Sequence, residues 1–313
     1  YHGLYNHGAT CYLNSVLQVL FMTEEFREAV IRLTNPKLSH RTADPYDILR
    51  ALEVNNGMTL KRKIPFYFLL LLPVREQQDA AEYFERILRK TSGNAAKGMV
   101  RMWFVCVFQI FHGRLSHRTE CLNCQTVTDS EGPFWHLPLE LEDSPGENYS
   151  VENGINMFFT PTIFNGDNQV YCEICDVKFF QKYVITQHPD VLLLMLKRFD
   201  FSYQFMSYIK IHCKADVPHT IRIPEFLFRT SHIAELFCVD QNQTYELYAV
   251  VEHFGDLRGG HYHAKIKSKD EGGKWFVFDD SSVTQRSKSP FPDNVDVVQS
   301  HSAYLLFYRR KGE

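Results

Sequence analysis

The chain has 313 residues, a net charge of -3 with neutral histidines, and hydrophobic, aromatic and charged shares of 44%, 14% and 23%. That length allows one elaborated domain or a core with an insertion, and the composition excludes a disordered chain. A near-neutral charge without a Lys/Arg run excludes nucleic acid as the principal partner. No apolar stretch approaches the roughly 18 residues of a membrane span; the most apolar run, 66–74, contains Pro73. The start, Tyr1-His2-Gly3-Leu4, has neither an initiator Met nor a basic segment followed by an apolar one, so an excised domain without a signal peptide is expected.

Along the first ninety residues apolar positions recur at three- and four-residue steps: Leu13, Val16, Leu17 and Leu20, then Phe26, Val30 and Leu33, then Ala80, Phe84, Ile87 and Leu88. The spacing predicts helices packed on one another. From about Phe104 the pattern changes to short apolar or alternating runs at 105–111, 134–141, 191–199, 245–254, 275–278 and 303–308, which predict strands. Polar, Gly-bearing stretches at 142–149, 164–169 and 270–273 predict turns. The expected class is α+β, helices first and antiparallel sheet after.

Of the eight cysteines, Cys121 and Cys124 form one C-x-x-C pair and Cys172 and Cys175 a second, while Cys11, Cys106, Cys213 and Cys238 are isolated. Two such pairs can form knuckles on opposite sides of a tetrahedral ion, which predicts a structural Zn²⁺ tying two β-hairpins in a reducing compartment. Iron–sulfur ligation and disulfides are the formal alternatives.

Cys11 stands where the Gly-bearing loop 3–10 turns into an amphipathic helix. Unpaired N–H groups and the positive end of the helix dipole favour a thiolate there. The Cys11 backbone N–H and the Asn6 side chain can receive the oxyanion of a tetrahedral intermediate. A cysteine at a helix start can equally be a small buried apolar residue. The string G-L-x-N-x-G-x-T-C-Y-L-N-S-x-L-Q over 3–18 decides between the two, because it resembles the cysteine box of the ubiquitin-specific protease family. The resemblance implies Cys11 as nucleophile and Asn6 as oxyanion-hole donor.

A thiol nucleophile needs a base that a third group holds in place. Spacing alone does not choose among His253, His261 and His263. Gly259 and Gly260, which permit backbone close to a substrate, and the alternating segment 262–267 favour His261. The run Tyr245 to Tyr262, ending Gly259-Gly260-His261-Tyr262, resembles the family's histidine box, and Trp275 to Ser281 its closing aspartate motif. That implies Asp279 as the third member, with Asp280 as runner-up, and an imidazolium–thiolate pair at rest. Gln77-Gln78-Asp79-Ala80-Ala81-Glu82-Tyr83-Phe84 is similar to the family's Q-Q-D-A-x-E-F box. It implies that Asp79 grips the extended tail of the substrate in a channel walled by Tyr262 and approached over Gly259 and Gly260.

The resemblance runs from Gly3 to Tyr308 and includes Leu196-Lys197-Arg198-Phe199. It implies a papain-like fold of the ubiquitin-specific protease type: a helical thumb at about 1–103, zinc-tipped fingers mainly at 104–190 and a β-sheet palm mainly at 191–313. It further implies a deubiquitinase of the cytoplasm or nucleus, cutting after the C-terminal glycine of ubiquitin through a thioester. An interferon-induced ubiquitin-like modifier with the same Leu-Arg-Gly-Gly ending is a second candidate substrate. An inactive ubiquitin-binding module of the same fold is the alternative. Segments 201–209 and 253–260 are the expected specificity loops.

Overall fold

The computed structural model describes residues 1–33, 76–93, 110–121, 123–124, 126–141, 148–163, 172, 174–175, 179–204, 206–224, 242–256, 259–286 and 295–312. The apolar run 66–74, the candidate strand at 105–109, most of the turns at 142–149 and 164–169, and Cys106 and Cys238 lie outside the described residues.

The helices read from the first ninety residues are α1 (Cys11–Met22), α2 (Glu24–Leu33) and α3 (Ala80–Gly93). Next come β1 (Gly113–Cys121), β2 (Val127–Phe134), β3 (Leu137–Glu140), β4 (Tyr149–Ser150), α4 (Val151–Phe159), β5 (Thr162–Ile163), β6 (Phe179–Gln187) and β7 (Val191–Lys197). The remainder is β8 (Phe199–Ser202), β9 (Ser207–Lys210), β10 (Ala215–Pro218), β11 (Thr220–Pro224), β12 (Asn242–Phe254), β13 (His261–Lys267), β14 (Trp275–Asp279), β15 (Ser282–Gln285), β16 (Val297–Ser300) and β17 (Ala303–Arg310).

The main sheet has the order β15-β14-β13-β12-β17-β7-β3, with β11 also paired to β12. In a second sheet, β2-β1-β6-β5, Cys121 ends β1, Cys124 lies between β1 and β2, and Cys172 and Cys175 lie between β5 and β6. Three expectations need correction. The sheets are not purely antiparallel, since β3 runs parallel to β7 and β4 parallel to β10. Ile110 and Phe111, read as the end of a strand, are helical; an unbroken apolar run fits a buried helix and a buried strand equally well. Segment 201–209, read as a loop, is largely the hairpin of β8 and β9.

Every residue of α1 is buried, which is the expected pattern for a helix covered on all sides. It packs against α2 and α3 on one side and β13 and β14 on the other. Tyr12, Leu13, Val16 and Leu17 join Phe84, Phe111, Tyr262 and Phe307 in one core. A second core, beneath the other part of the sheet, gathers Leu139, Ile155, Leu196, Val217 and Tyr245. Among the described residues no helix is long and apolar enough to cross a membrane.

β7 and β8 are separated by Arg198, whose side chain is fully buried. Its guanidinium donates to the carbonyls of Ala303 (2.6 Å), Cys213 (2.9 Å), Ile211 (3.2 Å) and Ser300 (3.4 Å). One planar group thereby satisfies carbonyls from the segments flanking β10, β16 and β17. Replacing it with Met removes the charge and every donor, leaving buried carbonyls without partners. Arg198→Met is expected to lower the unfolding free energy by about 3 kcal/mol or more, read as a reduced midpoint in urea.

Candidate active site

Cys11 is the first residue of α1 and only 3% exposed. The preceding Thr10 makes no side-chain cap, and no acidic residue occupies the first turn, which leaves the first amides of the helix directed at the Cys11 sulfur. Thr10 is engaged elsewhere: its hydroxyl accepts from the His7 N–H at 3.0 Å and faces Asn6 Oδ1 at 3.3 Å. Asn6 Oδ1 also accepts from the Gly8 and Thr10 amides, each at 3.1 Å, fixing the loop that delivers Cys11. Gly8, at φ 123°, adopts a backbone that side chains disfavour.

Burial pushes the Cys11 thiol up, with Asp280 acting in the same direction, while the Tyr262 backbone N–H at the sulfur pulls it down. The upward effects win, so the free site favours the thiol over the expected thiolate: desolvation exceeds what the helix end supplies.

His261 opens β13, and Asp279 closes β14 on the neighbouring strand. The turn at 270–273 joins these strands, as expected, and the His261 Nε2–Asp279 Oδ1 distance is 2.6 Å. Both side chains are about half exposed, at 41% and 49%. Because Asp279 takes Nε2, Nδ1 is the ring nitrogen available to a thiol.

Asp280 has a different set of partners. Its Oδ2 accepts from Asn6 Nδ2 at 2.9 Å and its Oδ1 from Asn14 Nδ2 at 2.7 Å, while its backbone carbonyl accepts the Leu4 N–H at 2.7 Å. It holds φ at 47°, a conformation Asp tolerates better than most residues. Gly3 passes so close that a Cβ would stand 2.3 Å from the Asp280 carbonyl oxygen.

The three candidate histidines are distinguishable by their surroundings. His253 is 1% exposed, and burial, then Lys210, Arg198 and His261, pull it down to about 3, too low for a base near neutral pH. His263 Nε2 lies 2.7 Å from the buried Glu252. His261 is the one joined to Asp279.

Asp79 caps α3, its Oδ1 accepting from the Ala81 (2.7 Å) and Glu82 (3.0 Å) amides, and its Oδ2 accepts from the Tyr304 hydroxyl. It lines an open cleft of about 360 Å³ with Glu82, Glu85, Lys197, Phe199 and Tyr304. Tyr262 is buried against His253 and Tyr304. Gly260 touches His253, where a Cβ would lie 2.1 Å from Nε2; Gly259 faces open space. Gln77, Asn14, Lys210 and Tyr304 were not singled out by sequence reasoning. Gln77 and Asn14 lie inside the quoted boxes, so only their roles were missing.

Cys121, Cys124, Cys172 and Cys175 bring their sulfurs within 4.8 Å of one another, with Cys121–Cys175 at 3.3 Å and Cys124–Cys172 at 3.4 Å. Four thiolates about 2.3 Å from a tetrahedral zinc stand about 3.8 Å apart, so the group can bind zinc. Hydrogen bonding from the Thr126 hydroxyl, 3.0 Å away, then from the Thr126 backbone and the Cys172 and Cys121 sulfurs, lowers the Cys124 thiol to about 6.

The family model described as "Ubiquitin carboxyl-terminal hydrolase" matches residues 2–308. Ubiquitin carboxyl-terminal hydrolase 47 of Drosophila melanogaster is 26% identical over 99% of the chain and 25% of its own length. Ubiquitin carboxyl-terminal hydrolase 15 of Schizosaccharomyces pombe is 30% identical over 99% and 28%. Ubiquitin carboxyl-terminal hydrolase 12 of Salmo salar is 28% identical over 99% and 90%. The chain thus spans about a quarter of the length of the first two relatives and most of the third. Among solved structures, a chain of the SAGA Ubp8/Sgf11/Sus1/Sgf73 DUB module bound to ubiquitin aldehyde superposes with a TM-score of 0.76 at 25% identity, covering 100% of this chain and 70% of that one.

The adjacent acids separate in experiment. Asp280→Ala strands the Asn6 and Asn14 amides and strains the backbone, so it should cost about 2–3 kcal/mol in chemical unfolding. Asp279→Ala, at an exposed position, should cost under about 1 kcal/mol in the same measurement.

Proposed function

The chain belongs to the ubiquitin carboxyl-terminal hydrolase family, and on that premise we propose that it is a thiol-dependent deubiquitinase cleaving after the C-terminal glycine of ubiquitin. The observation that carries this reading is the His261–Asp279 pair at 2.6 Å beside an uncapped helix end that begins with Cys11. In this reading His261 Nδ1 takes the Cys11 proton as the sulfur bonds to the glycine carbonyl carbon, and Asp279 stabilises the imidazolium. Because burial favours the thiol, proton loss accompanies attack.

The oxyanion is received by the Cys11 backbone N–H and by the Asn6 amide hydrogen not given to Asp280. His261 returns the proton to the departing amine, the C–N bond breaks, and a Cys11 thioester remains. His261 then deprotonates a water, which releases the glycine carboxylate and restores the thiol. Asp79, Tyr262, Gly259 and Gly260 form the approach for the extended tail. The helical region to about 103 serves as thumb, 104–190 as fingers and 191–313 as palm. Both the thiol chemistry and the four-cysteine group require reduced sulfur, which supports the cytoplasm or nucleus.

The experiment is reaction with ubiquitin bearing a C-terminal electrophile. One adduct at Cys11 is expected, lost in Cys11→Ala, with kcat/KM for a ubiquitin amide falling at least about 10³-fold in His261→Ala. Folded protein that forms no adduct would identify an inactive binding module. Parallel labelling with the interferon-induced modifier is expected to be slower, and equal rates would overturn strict preference for ubiquitin.

The residues Cys121, Cys124, Cys172 and Cys175 would hold Zn²⁺ with every position filled, which supplies cross-linking of β1, β2 and β6 and no open site for chemistry. Removal by a chelator is expected to lower the melting temperature and weaken ubiquitin binding; unchanged melting would overturn the assignment.

A further inference from the structure

Lys210 ends the β8–β9 hairpin with its ammonium nitrogen 2.7 Å from the Gly255 carbonyl, 3.0 Å from the His253 carbonyl and 2.8 Å from His253 Nδ1. On the other edge of that imidazole, Nε2 lies 3.3 Å from Gln77 Nε2, and Gln77 Oε1 accepts the Gly260 N–H at 2.7 Å. Four groups therefore connect the hairpin to the residue immediately before His261.

The direction of each hydrogen bond constrains the protons. A backbone N–H only donates, so Gly260 fixes the oxygen of the Gln77 amide and turns its NH₂ toward His253. An amide nitrogen only donates, so His253 Nε2 must offer a lone pair and the ring proton must sit on Nδ1. Nδ1–H then points at Lys210, whose hydrogens are committed to two carbonyls. Every contact is satisfied when Lys210 is a neutral amine accepting from Nδ1.

A charged Lys210 has no lone pair. Nδ1 must then be bare, and the ring proton on Nε2 meets the Gln77 NH₂, donor against donor. Rotating the amide repairs that contact only by presenting its NH₂ to the Gly260 N–H. There is no slack to absorb the conflict, because Gly260 packs directly on the imidazole.

We propose that Lys210, His253 and Gln77 are positioning residues for His261, forming a tether that neutral Lys210 closes on Gly260 and protonated Lys210 releases. The proposal rests on reading His261 as the base. One proton is exchanged with solvent: on deprotonation Lys210 passes a hydrogen to Nδ1 while the Nε2 proton leaves.

The surroundings put this event near neutral pH. Burial, then Arg198 at the end of β7, lower Lys210 to about 8, against an opposing effect of Asp256 in the loop after β12. Lys210, Arg198 and His261 all face His253, and its ring stays neutral well below that range. Lys210 is thus the group that titrates, and the tether tightens as pH rises.

The test uses the intact chain with ¹⁵N-labelled histidine. The His253 ring shifts are expected to change from the Nε2–H tautomer at about pH 6 to the Nδ1–H tautomer at about pH 10, with a midpoint near about 8. A single tautomer throughout would overturn the proposal. Gln77→Glu offers carboxylate oxygens to both Gly260 and Nε2–H, so it should hold the Nε2–H tautomer across the range; a wild-type transition would also overturn it.

Alkylation of Cys11 by iodoacetamide, which needs no ubiquitin, supplies the positional readout. Its rate should rise an extra step of about five-fold through the Lys210 titration, the equivalent of one hydrogen bond, and Lys210→Met should remove that step. A Lys210→Met profile identical to wild type would sink the idea. Failure to cleave ubiquitin would bear on the proposed function and leave both readouts intact.

Discussion

Asp280 ties the two ends of the chain together beside the candidate active site. Its carboxylate and carbonyl take hydrogens from Asn6, Asn14 and Leu4, residues 266 to 276 positions away in sequence, and the strand bearing Asp279 ends one residue earlier. Closing so long a loop carries a large entropic cost, which local contacts cannot offset. The offset comes from α1 buried among two helices and the sheet, and the Asp280 bonds convert that packing into register. Slippage between α1 and β14 would misplace Cys11 relative to His261, and reactivity is sensitive to displacements of about 1 Å.

The same burial that holds α1 sets an electrostatic problem. The sulfur of a residue only 3% exposed is poorly solvated as an anion, and the Tyr262, Tyr12 and Cys11 amides do not fully compensate. The free site therefore holds the less nucleophilic protonated form of the sulfur. His261 and Asp279, half exposed, are the partly solvated members of the set. A ligand covering them would exclude water and strengthen their interaction.

Much of this was legible in the sequence, and the omissions have physical causes. Periodicity located α1, α2 and α3 because their apolar residues recur at three- and four-residue steps, and it located β7, β12, β14 and β17 because they are mostly apolar. It missed β1 and β2, whose polar residues pair across the strands, Arg114 with Glu131 and Arg118 with Asp129, and leave little apolar alternation. It misjudged Ile110 and Phe111, where burial on all sides removes any period. Motif spacing singled out Cys11, His261 and the two C-x-x-C pairs, which the structure places at a helix start, at a strand start paired with Asp279, and in one four-sulfur group. The roles of Gln77, Asn14 and Arg198 depend on carbonyls and amides distant in sequence, and no local pattern records which carbonyl an arginine will meet.

Three histidines within eleven positions show how little residue type determines function. His253 and His263 lie on paired strands with His261 beside them, and each could in principle accept a proton. His253 is neutralised by burial among cations. His263 shares Glu252 with Lys265, Ser300 and Ser302, a polar group sealed beneath the sheet that fixes β12 to β13 and to the β16–β17 turn. Of the three, His261, at the start of its strand, combines an acidic partner with the greater exposure: 41% for its side chain against 16% for His263. The exposure of His261 thus follows from strand position: a shift of one residue would carry the imidazole to the face on which Tyr262 is buried.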